Sequence, residues 1–565
     1  MEPHDVAYYV NRCYLHDLQG VDSGLIALVE GFNRSRNLPE LTSCSRHFDP
    51  AKHTVEDWRS LRQIEAFFKK NACLSNTDVC TSAAEASFVA AEAKCSSTNR
   101  LLRPFVCRPH LIGGNRFHEV QRMARYISNV LGEFQPFLDD LPNLVRVTPG
   151  ATSHSSRRNS LPQMKMRMRL YCTNGAKPYL ASLYRYFGFG VPRMKTVNRN
   201  RVELVPKNWK TGRTIACEPE GNLPLQLAFD TYAKRRLRRY GINLSNQSAN
   251  QKLAKHASVH GDFVTVDFAA ASDTISYNTV ALVFPVEWFN YLNRVRTPAF
   301  RGVFGLGNYA KFSSMGNGST FTIETLLFAA ACHAVGSKRF LVYGDDVIIE
   351  KEYYDEFLSL TSFLGFSINV DKSFASGPFR ESCGGDYFNG VDVTPVYIRS
   401  VDGRKAFKCH LVNTLASIAL PGGELEAFLT SLIREAKLPL VPYNESTLSG
   451  VWIEPNSARR LGILKRQHHC DYFKAYTARS KRRSFVDSRG YYLWFLRKNS
   501  QALFQVPWDG MTGCPRDEGN ETSSAPVFEH AYVRKRVGWF SPTNGEPVHL
   551  YWWTELLTRA YGAGR

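Results

Sequence analysis

The sequence predicts an α+β fold in which helices cover one face of an antiparallel sheet. Residues 262–268, DFVTVDF, alternate between two faces as a β-strand does. Residues 339–343 and 347–350 are two further strand-like runs, and the Gly-Asp-Asp between them is typical of a tight turn. Residues 321–335, FTIETLLFAAACHAV, have the length and apolar composition of a helix. A strand, a helix and a hairpin in this order indicate a sheet backed by helices.

Further elements extend this pattern along the chain. Residues 81–102 are rich in alanine and predict a helix that is capped by its first or second residue. Residues 222–240 predict a basic helix, and residues 352–365 predict a helix that ends at its final glycine. Residues 366–370 predict another strand after that helix.

The charge of the chain indicates the kind of partner it binds. It has 565 residues, and 71 Lys and Arg against 51 Asp and Glu give a formal net charge of +20. A positive excess of this size indicates a polyanion, nucleic acid before an anionic membrane surface. With no apolar run that could span a bilayer and no signal-peptide pattern, we expect no membrane association. The 13 cysteines include no CxxC pair, which is typical of reduced, intracellular thiols.

Two adjacent carboxylates, Asp345 and Asp346, stand in the turn YGDD. Charges this close repel each other, and the cost is modest only where water or a cation neutralises them. With a third carboxylate they can hold two divalent cations about 3.5–4 Å apart, an arrangement that promotes phosphoryl transfer. The alternative is an ordinary hairpin, because Gly and Asp are favoured turn residues.

Asp267 and Asp273, in the segment DFAAASD, offer further carboxylates. Asp267 ends an apolar strand, where a charge is costly unless it is paired or bound to a metal. The alternatives are a strand-end cap for Asp267 and a helix N-cap for Asp273, which precedes TISYNTV. We expect Asp267 to supply the third carboxylate.

A basic motif and a glycine loop complete the set of signals. Lys207, Lys210 and Arg213 recur at three-residue spacing around Gly212. Such cations can converge on a triphosphate, although a solvated basic turn is the alternative. The loop SSMGNGS, residues 313–319, enters a helix and offers N–H groups and hydroxyls to a sugar or phosphate. In this order and in a basic chain, the signals indicate a nucleotidyl transferase.

These motifs resemble those of a known family. TVDFAAASD, SSMGNGSTFTIETLLF, VYGDDVII and FRESCG…GVDVTPVYIR follow the basic motif. This order is similar to that of the catalytic (beta) subunit of the replicases of small positive-strand RNA bacteriophages, the leviviruses. The segment GINLSNQSANQKLAKHAS is similar as well, and the resemblance is dense over about residues 203–399.

The resemblance implies a right-handed polymerase fold with fingers, palm and thumb. Residues 1–260 are then the N-terminal region and fingers, with the basic NTP-binding motif at 205–222. Residues 261–400 are the palm, with a finger insertion at about 281–312, and residues 401–565 are the thumb and C-terminal region. The implied reaction is RNA-templated RNA synthesis from NTPs with release of pyrophosphate, without a primer, in the cytoplasm of a bacterial host.

The resemblance also implies metal-binding and catalytic residues. Asp267, Asp345 and Asp346 match the family's metal-binding aspartates, and the backbone carbonyl of Phe268 joins them. The implied cofactor is a pair of Mg²⁺ ions, with Mn²⁺ as a substitute. Lys372 stands where such polymerases place a candidate general acid for pyrophosphate, and the alternative is a surface lysine.

The nucleotide-binding residues implied by the resemblance lie in three segments. Lys207, Lys210 and Arg213 match the motif that holds the incoming triphosphate. Many viral polymerases read the ribose with an asparagine in the helix after the glycine loop, whereas here that helix has Glu324 and no asparagine. We therefore expect ribose selection to rest on a residue outside that helix, such as Asp273, Ser314 or Asn317, and we count Gly316 with them among the NTP-binding residues.

The remaining implied contacts are with RNA and host proteins. The residues that match the element gripping the primer end are Phe379, Arg380, Glu381, Ser382 and Cys383. Basic and aromatic segments at 479–484, 491–498 and 533–536 suit contact with RNA. The implied partners are template and product RNA, NTPs, host elongation factors Tu and Ts, and the mRNA-binding protein of the small ribosomal subunit.

Two other functions fit part of the sequence. A reverse transcriptase also pairs aspartates in a hairpin, but such enzymes usually carry a bulky aromatic near Asp273, where this chain has AAASD. A non-catalytic basic RNA-binding protein would explain the net charge of +20 but not the three carboxylates.

Overall fold

The structure is a computed structural model of the chain. It describes residues 2, 4–148, 150–155, 169–398, 404–443, 445–467, 470–480, 528–536 and 549–562. Most of the basic segment at 479–484 and all of the one at 491–498 lie outside the described residues. No helix within these ranges is long and apolar enough to cross a membrane.

The first part of the chain is helical. Its α-helices are α1 (Asp5–Asp17), α2 (Ser23–Arg34), α3 (Leu38–Leu41), α4 (Val55–Lys69), α5 (Thr77–Cys107), α6 (Gly114–Leu131) and α7 (Gln135–Leu144). The helix predicted at 81–102 is confirmed as part of α5, but its predicted start at Thr81 or Ser82 is wrong. The cap is Asn76, whose side-chain oxygen accepts from the N–H groups of Asp78 and Val79. Thr81 is already inside the helix and donates its hydroxyl to the carbonyl of Thr77.

The middle of the chain alternates strands and helices. In order these are β1 (Arg169–Cys172), α8 (Lys177–Tyr186), β2 (Arg193–Thr196), β3 (Arg199–Pro206), β4 (Gly212–Cys217), α9 (Asn222–Arg239), α10 (Ser248–His260), β5 (Phe263–Val266), α11 (Tyr277–Val283), α12 (Val286–Val295), β6 (Ala299–Gly302), β7 (Gly305–Asn308), α13 (Thr320–Val335), β8 (Phe340–Tyr343), β9 (Asp346–Glu350) and α14 (Tyr354–Phe363). The helices predicted at 222–240, 321–335 and 352–365 are thus confirmed as α9, α13 and α14. The strands β4-β3-β6-β7 form one sheet, in which β3 and β4 carry the basic motif.

A three-stranded sheet, with strand order β5-β9-β8, lies at the centre of this region. Both pairs are antiparallel, as predicted, with Val266 opposite Val347 and Tyr343 opposite Asp346. The core behind it contains α13, which is buried along nearly its whole length. The ring of Phe268 stacks on Phe328 of α13 with a centroid distance of 4.1 Å.

The strand predicted at 366–370 is wrong. The segment makes an isolated bridge between Ile368 and Phe268 and then turns through a 3₁₀ helix, Val370–Lys372. The backbone N–H of Asn369 donates to the carbonyl of Asp267 at 2.8 Å as part of this bridge, and its side-chain amide donates to the Asp267 carboxylate at 2.8 Å. The pairing ends there because the carbonyl of Asn369 accepts from the N–H of Lys372 at 3.0 Å and closes the 3₁₀ turn.

The C-terminal part contains short strands and helices. They are β10 (Phe379–Ser382), β11 (Gly385–Phe388), β12 (Val391–Asp392), α15 (Lys405–Leu415), α16 (Glu424–Ala436), β13 (Leu440–Pro442), β14 (Val451–Ile453), α17 (Pro455–Arg460), β15 (Lys465–Gln467), β16 (Cys470–Ser480), β17 (Phe528–Arg536) and α18 (His549–Gly562). A second hydrophobic core joins these elements to the N-terminal helices, because Trp58 of α4, Phe379 of β10 and Trp553 of α18 belong to it. The two ends of the chain therefore meet in one core.

The observed cap of α5 gives a testable expectation. Asn76→Ala removes an N-cap, which we expect to lower the free energy of unfolding by about 1 kcal/mol. Ser82→Ala is the matched control, because Ser82 is exposed within the helix and alanine is the better helix former. Chemical denaturation followed by circular dichroism measures both variants. A loss of stability in Ser82→Ala but not in Asn76→Ala would place the helix start where the sequence alone put it.

Candidate active site

The adjacent aspartates lie at the turn of the β8–β9 hairpin. Gly344 precedes them with a φ of +65°, a conformation that favours glycine, and an added Cβ there would collide with the ring of Phe321. The N–H of Gly344 donates to the hydroxyl of Thr325 at 3.1 Å, which ties the turn to α13. Asp345 and Asp346 therefore follow a glycine that no larger residue can replace without a clash, in a turn that is tied to α13.

Asp267 reaches the same place from the neighbouring strand. It follows β5 directly, one residue beyond the Val266–Val347 pair, so it lies opposite Asp346 across the two antiparallel strands. The amide of Asn369 donates to its carboxylate, and the backbone N–H of Asp267 donates to the hydroxyl of Ser373 at 3.1 Å. The structure thus brings together the three aspartates that the sequence singled out.

The pKa values of these carboxylates show that they share one electrostatic environment. Burial raises the pKa of Asp267 to about 6; the Lys372 ammonium opposes this rise, and the charge of Asp345 adds to it. Burial raises the pKa of Asp346 to about 7, and the charges of Asp345 and Asp267 raise it further. The cluster is therefore costly to ionise without a cation beside it.

The fit of these residues to a divalent cation depends on the chemistry of their donor atoms and on the arrangement of their side chains. Their oxygen donors are those that Mg²⁺ prefers, and a bound cation would remove the repulsion that raises their pKa values. Within the described residues, however, no group of three or more His, Cys, Asp and Glu side chains is arranged to hold a metal ion. The aspartate oxygens are thus suitable ligands for Mg²⁺, while their side chains do not converge on a single ion position. Phe268 follows Asp267 in the chain and packs its own ring into the core.

Lys372 lies in the 3₁₀ turn that follows Asn369, on the exposed side of the aspartates. Burial acts to lower its pKa, but the negative charges of Glu381, Asp267, Asp346 and Asp345 outweigh that effect and raise it. The lysine is therefore close enough to these carboxylates for their charges to stabilise its protonated form.

The basic motif occupies the β3–β4 connection. Arg213 pairs with Val205 across these strands, and Lys207 and Lys210 lie in the turn, where all three side chains are exposed. The carboxamide oxygen of Asn208 accepts from the N–H groups of Lys210 and Thr211 and shapes the turn. Burial lowers the pKa of Lys207, Arg213 and Lys372 lower it further, and Asp267 and Asp273 oppose them. Lys207 is therefore close enough to Asp267 and Asp273 for their charges to act on its pKa.

The alternative interpretation of Asp273 as a helix N-cap is wrong, because Ser276 caps α11 and accepts from the N–H of Thr279 at 3.2 Å. Asp273 instead accepts from the Lys311 ammonium at 2.9 Å. Lys311 is only 1% exposed and also pairs with Glu92 of α5 at 3.3 Å. A buried lysine therefore fixes one carboxylate of the predicted sugar-binding set, and sequence reasoning missed it because no local pattern marks it.

The glycine loop lies against β4. Gly316 has a φ of +108°, and an added Cβ would collide with the carbonyl of Ala216. The N–H of Ala216 donates to the carbonyl of Met315 at 2.8 Å, which joins the loop to the strand after Arg213. Asn317 is buried, and its side-chain oxygen accepts from the N–H and the hydroxyl of Ser319 at 2.9 and 2.7 Å. The loop thus brings its glycine, and the buried Ser314, close to the basic motif.

Glu324 is a buried acid that the sequence analysis noted without a role. It is 1% exposed, and one carboxyl oxygen accepts from the hydroxyl of Ser272 at 2.9 Å. Its other oxygen is buried and has no hydrogen-bond partner among the described residues. Burial raises its pKa well above the usual value, and the charges of Asp345, Asp273 and Asp267 add to the rise. Burial therefore favours the neutral form of Glu324, and the charges of the aspartates favour it further.

The residues predicted to grip the primer form the β10–β11 hairpin. Phe379 is fully buried and packs on Trp58 at a centroid distance of 5.1 Å. Arg380 is 1% exposed and donates to the carbonyl of Phe263 in β5 at 3.1 Å. Ser382 is buried, Glu381 is partly exposed, and Cys383 begins the turn with a φ of +51°. Phe379 and Arg380 thus support the hairpin from inside.

Most of the chain matches the model of one protein family. Residues 16–415 match the model of a family described as "RNA replicase, beta-chain". The chain belongs to this family. The predicted resemblance to the replicase beta subunits of RNA bacteriophages is therefore confirmed.

Individual relatives carry the same description. The RNA-directed RNA polymerase subunit beta of Escherichia virus Qbeta is 38% identical over 322 residues, which are 55% of this chain and 54% of the relative. That of Enterobacteria phage SP is 38% identical over 328 residues, 56% of each protein. The beta chain of Escherichia phage MS2 is 38% identical over 235 residues, 40% of this chain and 42% of that one. The chain spans about half the length of the curated relatives it matches.

The solved structures that align with this chain share little sequence identity with it. An assembly described as an RdRp complex aligns with a TM-score of 0.39 and 11% identity over 57% of this chain and 33% of that chain. The RNA-dependent RNA polymerase of a human picobirnavirus aligns with a TM-score of 0.30 and 14% identity over 42% of this chain and 55% of that one.

The raised pKa of Asp346 predicts a pH dependence of stability in EDTA. Its pKa rises from the usual 3.8 to about 7 on folding, so the folded state binds the proton more tightly than the unfolded state. The resulting stabilisation is complete below 3.8 and is lost as pH rises through about 7. We expect the melting temperature in EDTA to fall over this range, and to fall less in Asp346→Asn. Added Mg²⁺ at pH 8 should stabilise the wild type more than the variant.

Asp355→Asn is the control, because it makes the same change on the exposed surface of α14. Differential scanning fluorimetry at pH 5 and pH 8, with and without Mg²⁺, measures all three proteins. An identical pH slope and an identical Mg²⁺ response in wild type and Asp346→Asn would contradict this assignment.

Proposed function

We propose that the chain is an RNA-directed RNA polymerase that copies an RNA template from NTPs and releases pyrophosphate. The observation that carries the proposal is the meeting of Asp267, Asp345 and Asp346 at one end of the β5-β9-β8 sheet. Membership of the RNA replicase beta-chain family supports it. The net charge of +20 supports it too, because Lys and Arg side chains neutralise the phosphates of a bound nucleic acid.

The proposed architecture is a right hand with fingers, palm and thumb. The central sheet and α13 form the palm within residues 261–400. The β3–β4 strands with the basic motif belong to the fingers within residues 1–260, and β6–β7 form the finger insertion at about 281–312. The thumb and C-terminal region are residues 401–565.

The proposed cofactor is a pair of Mg²⁺ ions, for which Mn²⁺ substitutes. Asp267, Asp345 and Asp346 hold them, with the backbone carbonyl of Phe268. When bound, such ions activate the attacking hydroxyl and neutralise the charge that develops on the phosphates. The aspartates' own part is to concentrate negative charge on a rigid hairpin, so that the site is neutral and stable only with cations present.

The triphosphate and its leaving group meet the cationic side of the site. Lys207, Lys210 and Arg213 bind the incoming triphosphate, and Arg213 supplies the fork that matches phosphate oxygens. Lys372 stays protonated beside the aspartates because its pKa is raised, so it can donate a proton to the departing pyrophosphate. Burial and the charges of Arg213 and Lys372 lower the pKa of Lys207.

The sugar of the nucleotide lies between the aspartate strand and the glycine loop. Asp273, held by Lys311, faces the ribose together with Ser314, Gly316 and Asn317. The exposed backbone of Gly316 allows close approach, whereas the buried side chain of Asn317 shapes the loop. The small residues of AAASD leave room for a 2′-hydroxyl, so ribonucleotides are the proposed substrates.

The wider context of the reaction follows from the family. Phe379, Arg380, Glu381, Ser382 and Cys383 form the hairpin that supports the growing RNA end. The relatives are described as a beta subunit or a beta chain, which supports action within a complex. The proposed partners are host elongation factors Tu and Ts and the mRNA-binding protein of the small ribosomal subunit. Synthesis then starts without a primer in the bacterial cytoplasm.

Asp345→Asn tests the function directly. We expect RNA-templated NTP incorporation to fall by at least about 100-fold, because the charge that binds the cations is lost. RNA affinity should stay within about twofold, because the basic surfaces are unchanged. Asp355→Asn on the exposed face of α14 is the matched control and should keep full activity.

Three outcomes of this assay would contradict the proposal. Full activity in Asp345→Asn would remove the aspartate from the reaction. A wild-type protein that binds RNA but incorporates no nucleotide, with or without host proteins, would be the non-catalytic binding protein. Incorporation of dNTPs in preference to NTPs on an RNA template would make it a reverse transcriptase.

A further inference from the structure

A buried arginine outside the candidate active site makes three ionic contacts. Arg62 of α4 is 8% exposed, and its Nε donates to Asp386 at 2.7 Å. One Nη donates to Glu381 at 3.1 Å and the other to Glu65 at 3.2 Å. Two of these partners lie more than 300 residues away in the sequence. A planar guanidinium with five donors suits such a site, whereas an ammonium does not.

The two distant partners are opposite each other in one hairpin. Glu381 of β10 and Asp386 of β11 are paired residues in the antiparallel register. Like charges directly opposite each other destabilise a strand pair. Because Arg62 binds both carboxylates, it converts this repulsion into a bridge across the β10–β11 hairpin.

The same helix holds the segment after the hairpin. The side-chain amide of Gln63 donates to the carbonyl of Val396 at 2.9 Å, and its oxygen accepts from the N–H of Val396 at 3.0 Å. Trp58, one turn earlier, packs on Phe379. Three residues of α4 thus fix the position of the hairpin on its outer side.

The inner side of the hairpin packs against the strands that carry the aspartates. Arg380 ties β10 to Phe263 of β5, the strand that Asp267 directly follows. Tyr387 of β11 belongs to one small hydrophobic core with Phe263 and with Ile348 of β9, the strand that begins at Asp346. The carbonyl of Cys383 in the hairpin turn accepts from the amide of Gln251 at 3.2 Å, which ties the turn to α10.

We propose that Arg62 is a positioning residue for the candidate active site, which it holds in place through the β10–β11 hairpin. The bridge to Glu381 and Asp386 fixes the hairpin between α4 and β5. The hairpin in turn packs on β5 and β9, the two strands at whose ends Asp267 and Asp346 lie. The inference rests on the proposed function for its catalytic consequence, whereas the role of Arg62 in holding the hairpin does not.

Arg62→Lys tests the role of the fork with the smallest change. It keeps the positive charge and most of the apolar stem but cannot bind three carboxylates in their present positions. Arg59→Lys is the matched control, because Arg59 lies on the same helix with its side chain 45% exposed and only a 3.8 Å contact with Glu56. Asp386→Asn is the second variant, because it keeps the side-chain shape and touches no reacting group.

Hydrogen–deuterium exchange of the full-length protein gives the readout that does not depend on activity. Amides of residues 379–388 should exchange at least about tenfold faster in Arg62→Lys and in Asp386→Asn, because the hairpin opens locally. Amides of α13 should exchange as in the wild type, and Arg59→Lys should match the wild type throughout. Equal acceleration in α13 and the hairpin would show general destabilisation and overturn the proposal, as would unchanged exchange of the hairpin.

Steady-state nucleotide incorporation gives the catalytic readout. In both variants kcat should fall by about 10- to 100-fold, because a small displacement of a reacting group has an effect of this order. KM for NTPs should stay within about twofold, since Lys207, Lys210 and Arg213 lie on β3–β4, away from the hairpin. A raised KM with unchanged kcat, or an opened hairpin with wild-type kcat, would overturn the positioning role.

The two readouts also separate this inference from the proposed function. A wild-type protein that incorporates no nucleotide would refute the polymerase assignment. The exchange measurement would still decide whether Arg62 holds the hairpin, because it needs only the folded chain.

Discussion

The repulsion among Asp267, Asp345 and Asp346 is the constraint on which the rest of the structure depends. Backbone hydrogen bonds of the β5–β9 and β8–β9 pairs and the buried contacts of α13 hold these carboxylates close together. Burial and the neighbouring negative charges raise the pKa of Asp267 to about 6 and that of Asp346 to about 7. Such a site is complete only when positive charge reaches it, from side chains or from ions.

Lys372 and Lys207 lie near this acidic centre, whereas Lys311 binds Asp273 and Arg62 binds the β10–β11 hairpin. Lys372 and Lys207 are exposed, and the charge of Asp267 acts on the pKa of both. Lys311 and Arg62 are buried, and each is committed to acidic partners from two separate parts of the chain. Buried ion pairs add little stability compared with apolar packing, but they specify one arrangement of the groups that they join. The exposed cations suit binding, and the buried ones suit position.

How much could be predicted from the sequence depended on how local each signal was. The hairpin, the strand ending at Asp267, α9 and α13 were predicted, because periodicity and turn residues are written in adjacent positions. The predicted start of α5 and the predicted strand at 366–370 were wrong, because Asn76 caps α5 earlier and Asn369 opens a 3₁₀ turn after a single bridge. Lys311 and Arg62 were missed, since all of their partners except Glu65 lie 38 to more than 300 residues away and no spacing marks them.

The meeting of the chain's two ends explains why an N-terminal helix bears on a site built from residues 267 to 346. Trp58 of α4 and Phe379 of β10 lie in a core that also contains Trp553 of α18. The β10–β11 hairpin lies between this core and β5, held by Arg62 on one side and by Arg380 on the other. The positioning role proposed for Arg62 thus connects α4 to β5, the strand that Asp267 follows, through two buried arginines on the two sides of one hairpin. Helix α4 in this sense supports the candidate active site, although that site is built on other elements.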